Sequence, residues 1–99
     1  MIRGTTPTLE FTLPIDTGLL AEGFVSFAQN KMLVIDKPLS DCTLKGSVIS
    51  LRLTQEETLR LHSDVVTEIQ IRAKTTDGDV IASDIIEEET LRILKNGVI

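Results

Sequence analysis

A chain of 99 residues carrying 15 acidic against 10 basic side chains, net charge −5, has material for one hydrophobic core and not for two. That balance argues against binding driven by cations meeting nucleic-acid phosphates or anionic lipid, and no apolar run approaches the length of a membrane span. With no Trp, no Tyr and only three Phe, there is little to stack on bases or sugars.

The N-terminus has neither a basic n-region nor an apolar h-region, so the expectation is a soluble chain not exported by a cleaved signal. The single cysteine, Cys42, has no internal partner for a disulfide, which suits a reducing compartment.

In chain order, Met1–Thr6 has no period and reads as an arm or an edge. Thr8 to Leu13 alternates, with Leu9, Phe11 and Leu13 inward, and Pro7 and Pro14 bracket it as strand limits. Asp16-Thr17-Gly18 opens a turn that leads to a second strand, Phe24 to Gln29. Asn30-Lys31 forms a tight connection into Met32–Lys37, a run apolar on both faces and therefore expected to be a central strand, stopped by Pro38. Asp41–Lys45 is a short, weak strand, and Gly46 turns it into Ser47–Leu53. There Ile49, Leu51 and Leu53 share one face.

At Thr54-Gln-Glu-Glu57 the period breaks into a capping box, which predicts one short helical crossover over about residues 55–61. The clearest stretch follows. Val65, Thr67, Ile69, Ile71 and Ala73 alternate with Val66, Glu68, Gln70, Arg72 and Lys74, a half-buried strand leading to a hairpin turn at Asp77-Gly78. A two-residue turn there would set Asp84 opposite Ile71 on the core face. A three-residue loop, Thr76-Asp77-Gly78 with a left-handed Gly78, instead pairs Ile81 with Ala73, Ser83 with Ile71 and Ile85 with Ile69. It also moves Asp84 outward, diagonal to Arg72. The hydrophobic pattern selects the three-residue loop.

Ile86–Thr90 either prolongs the last strand or gives way, at Glu87–Leu94, to a helical turn. Asn96-Gly97 then turns the chain into Val98-Ile99, so that residues 95–99 read as a second arm. About seven short strands separated by turn signals, with no alternating βαβ pattern, predict a single all-β domain over residues 1–99. Its class is an antiparallel immunoglobulin-like β-sandwich, by architecture only, since the family's disulfide and core Trp are absent.

No constellation of nucleophile, base and orienter emerges. His62, the sole imidazole, reads as a surface or crossover histidine, and Cys42 as a packing thiol. Asp77, Asp79 and Asp84 lie near one turn but lack the ligand ladder of a calcium loop, and Glu87-Glu88-Glu89 reads as a solvated or charge-protected edge. The chain is therefore expected to be no enzyme and to use no cofactor or metal.

Several segments resemble short prophage-encoded proteins of Gram-positive bacteria. These are Met1-Ile-Arg-Gly-Thr-Thr-Pro7, Phe11-Thr-Leu-Pro14, Phe27-Ala-Gln-Asn30, Leu53-Thr-Gln-Glu-Glu57, Glu68-Ile-Gln-Ile-Arg72, Asp77-Gly78, Ala82-Ser-Asp-Ile85 and Ile93-Leu-Lys-Asn-Gly-Val-Ile99. Such proteins are similar to the immunoglobulin-like N-terminal module of phage baseplate upper proteins. The resemblance implies a structural or assembly role in a tail, baseplate or head–tail accessory, with other virion proteins as partners. It also implies residence in the host cytoplasm during assembly and in the virion afterwards.

The apolar ends Met1, Ile2, Val98 and Ile99 are the candidate contact residues, and homo-oligomers through sheet edges are open to such a fold. The competing expectation is a soluble prophage-encoded regulator or inhibitor that binds a host protein through its acidic surface.

Overall fold

In the computed structural model, which describes residues 1–99, eight strands and one short helix follow the predicted order. They are β1 (Thr8–Thr12), β2 (Leu20–Gln29), β3 (Met32–Pro38), β4 (Thr43–Lys45), β5 (Val48–Arg52), α1 (Gln55–Leu59), β6 (Thr67–Thr75), β7 (Val80–Ala82) and β8 (Ile86–Glu88). The alternation in β6 has the physical consequence expected of it: Thr67, Ile69, Ile71 and Ala73 are buried, while Arg72 and Lys74 face solvent. The hairpin closes with Thr75 N donating to Asp79 O at 2.7 Å around a left-handed Gly78 (φ +91°), and Ala73 pairs with Ile81. This is the three-residue loop that keeps Ile81 on the inner side.

Antiparallel pairing builds two sheets, one in the order β1-β5-β4 and the other β3-β2-β6-β7, with β8 continuing along β6 beyond β7. The hairpins β2–β3, β4–β5 and β6–β7 each stay within one sheet, and the connections between them cross to the other. This connectivity matches the B-E-D and C′-C-F-G sheets of the immunoglobulin scheme, and the position of the scheme's first strand, beside β1, is empty. Between the sheets lie Val25, Phe27, Ile35, Ile49, Leu51, Ile69 and Ile71, joined by Leu53 and Leu61 from the crossover. Each such side chain contributes about 1.5–3 kcal/mol by leaving water.

Several expectations are corrected. The run Met32–Lys37 is an edge strand and not a central one: β3 pairs only with β2, whose other side is taken by β6, and Met32 and Leu33 remain in solvent. β2 starts four residues earlier than its alternation suggests, because the Asp16-capped 3₁₀ turn over Thr17–Leu19 delivers Leu20 directly into pairing with Thr75. β4 loses its first residues to a 3₁₀ turn over Leu39–Asp41, closed by Cys42 N donating to Leu39 O. The capping box on α1 is present in both directions, and the helix ends at Leu59. The amides of Arg60 and Leu61 then tighten to the carbonyls three residues back, which turns Leu61 into the core.

The last segment departs in register. Ser83 N donates to Ile71 O at 2.8 Å, and Ser83 Oγ accepts from Ile71 N at 3.0 Å. The hydroxyl thus takes a bond that the next ladder carbonyl would have accepted, and one extra residue is accommodated. Ile86, not Ile85, stands opposite Ile69, and Ile85 is exposed. Asp84 makes no ion pair with Arg72. Ile86–Glu88 is a strand, so the helical turn considered for Glu87–Leu94 does not form there.

The first residues are docked on their own domain. The Met1 amine donates to Glu88 Oε1 (3.1 Å) and to Glu89 O (2.8 Å), and the Met1–Arg3 backbone exchanges hydrogen bonds with Leu91.

Candidate functional site

At the end of the molecule where β1 stops and the β6–β7 hairpin turns, the two sheets part. Pro14 lacks the N–H to prolong β1, and Ser83 ends β7 after three residues, so neither edge strand covers the gap. The chain from Leu13 to Leu19 arches over one side. It is held by Leu13 N to Ser47 O, by Thr17 N and Oγ1 to Gly46 O, and by Asp16 accepting from Gly18 N.

The result is an open cleft of about 670 Å³. Ile71 and Ala73 of β6 form its floor, Leu13, Ile15, Leu19 and Ile81 its walls, and Asp77, Asp79 and Asp84 stand at its rim. None of the three carboxylates takes part in an ion pair. They are also not gathered with other His, Cys, Asp or Glu side chains as a metal-ligand set. The chemistry on offer is an apolar slot with free backbone edges and a negative mouth, which suits a polypeptide segment.

The opposite end is closed by polar side chains. Gln29, buried, donates through Nε2 to His62 O (2.9 Å) and Thr67 Oγ1 (3.0 Å), and its Oε1 accepts from His62 N (2.9 Å). Thr67 and Thr90 hydroxyls meet at 3.0 Å beneath it. This network pins the crossover and the last segment to β2, and leaves no buried side-chain polar atom without a partner. His62 enters it through its backbone, while the residue itself is exposed.

The shortest ion pair joins β3 to α1. Lys37 Nζ lies 2.8 Å from Glu57 Oε2 and 3.7 Å from Asp41 Oδ2. The hydrogen bond to Glu57 raises the Lys37 pKa above its ordinary value despite partial burial. Burial alone would push the Glu57 carboxyl up, but the hydrogen bonds from Lys37 and from Thr54 outweigh it and hold the carboxyl below its ordinary value. Beside them, burial raises the Cys42 thiol, with Asp41 adding to the effect, which disfavours the nucleophilic thiolate. Cys42 packs against the core, with Sγ directed at Pro38 O.

The four residues singled out in the sequence separate. The Met1 side chain is 1 % exposed and packs against the core, so it is withdrawn from any contact surface. Ile2 is exposed beside Leu91, with which it forms a parallel bridge. Val98 and Ile99 project from the C-terminal segment, whose last backbone groups are held by the Gln55 amide: Nε2 donates to Ile99 O (3.1 Å) and Oε1 accepts from Ile99 N (2.8 Å). Leu94, which opens the same C-terminal arm, is 92 % exposed.

No family model, curated protein or solved structure matches this chain.

Proposed function

We propose that this protein is a non-enzymatic phage structural or assembly module, of a tail, baseplate or head–tail accessory, that acts by protein–protein contact. The observation that carries the reading is the cleft between β1 and β7: apolar inside, bounded by strands with one neighbour each, and large enough for side chains of an added segment. A contact module needs a rigid body and an unfilled surface, and the closed polar network at the far end supplies the rigidity. The resemblance of the segments from Met1 to Ile99 to short prophage proteins supports placing that contact in a virion, with assembly in the host cytoplasm.

Quantitative mass spectrometry of particles purified after prophage induction tests the reading. The expected result is a constant ratio of this chain to other virion proteins across preparations. Its absence from particles, together with salt-sensitive capture of a basic host protein, would replace this reading with that of an acidic regulator or inhibitor.

A further inference from the structure

We infer that the cleft of one copy receives the C-terminal segment Leu94–Ile99 of a second copy, so that the protein associates head to tail. This rests on the contact reading above and names its partner.

Three observations converge on that occupant. First, the segment is unusually bare: Leu94 is 92 % and Ile99 108 % exposed, and Val98 is also in solvent. Second, charge matches. Arg92 and Lys95 flank Leu94 and pair with no carboxylate of their own chain, whereas the cleft presents Asp77, Asp79 and Asp84 without a cation. A symmetric cleft-to-cleft dimer would set those three carboxylates against the same three, which disfavours that arrangement.

Third, the segment is at the wrong end of its own chain to fill its own cleft. It is anchored near α1, by Gln55 on Ile99 and by Arg3 on Asn96, whereas β6 runs eight residue steps from Thr67, beside Glu88, past the floor residues Ile71 and Ala73 to Thr75 at the cleft mouth. That strand length is about 26 Å. Six residues reach only about 20 Å even when fully extended, and Ile93 is held at Gly4, where a Cβ would come within 3.0 Å of its side chain. The tail therefore stops short of its own cleft mouth, and the tail of a second copy is free of that limit. Because donor and acceptor are different surfaces, the contact is heterologous and propagates unless it is capped or closes into a ring.

Sedimentation velocity over a concentration series tests this with two variants whose thermal melting matches the parent. One is the tail variant Leu94→Ser with Lys95→Ser, and the other is the cleft variant Asp79→Lys with Asp84→Lys. The parent is expected to form species that lengthen with concentration and shorten with salt. Each variant alone is expected to associate roughly tenfold or more weakly. Mixed together, they are expected to give a species no larger than a dimer, because only one intact tail and one intact cleft remain per pair. A parent that stays monomeric, a tail variant that associates like the parent, or a mixture without dimer overturns the inference. A monomeric parent that nevertheless enters phage particles overturns the self-contact alone and leaves the contact reading standing with a different partner.

Discussion

Gly23 sits in β2 opposite Ala73 of β6, and its importance is steric. A Cβ there would lie 2.6 Å from Arg72 O and 2.8 Å from Ala73 Cβ, so even one methyl group must force the strands apart. Gly23→Ala is expected to lower stability by roughly 1–3 kcal/mol, read as a drop in the urea midpoint; an unchanged midpoint would show that the strands yield freely there. Asn30 and Lys31 make the opposite kind of point. Both have positive φ (51° and 64°), the geometry of a two-residue turn that suits the twist of β2 and β3. The tight connection was legible from Asn30, but the left-handed lysine was not, since the stability of the flanking pairs and not its own preference places it there.

Among the elements, α1 is too short to hold itself and depends on its cap and on Lys37. Glu57 serves both, so its charge state controls how firmly the crossover is tied to β3. Because the folded carboxyl is held below its ordinary value, its contribution is fully present above about pH 4.3 and is lost as pH falls through the lowered value. Lys37, raised, contributes below its ordinary value and loses that only as pH climbs past it. Glu57→Gln is therefore expected to cost roughly 1–3 kcal/mol at pH 7, with the gap to the parent closing below about pH 4. Equal gaps at pH 7 and pH 3 in denaturation curves would refute the role of the charge.

The same elements mark what sequence can and cannot reveal. The facing of β6, the hairpin loop and the capping box were legible because each is a local pattern with one physically acceptable solution. The edge position of β3 was not: apolar residues on both faces report lack of charge, not the number of neighbouring strands. The one-residue slip after Ser83 was hidden because a hydroxyl standing in for a ladder carbonyl leaves no periodic trace.

On the scale of the whole molecule, one end is sealed by the Gln29 network and the other is left open between β1 and β7. The cleft is assembled from residues 12–19 and 71–84, and no window of sequence contains both of its sides. Pro14 and Ser83, each ending an edge strand, were its only outward signs.

The claim that this open end is the working surface is tested most directly in particles from a prophage-bearing host. In these the chain carries Asp79→Lys with Asp84→Lys or, as a control on the other edge, Met32→Lys. With melting temperatures matched to the parent, quantitative mass spectrometry is expected to find the cleft variant depleted roughly tenfold or more and the β3 variant incorporated as the parent. Incorporation of the cleft variant at the parent's level would contradict it.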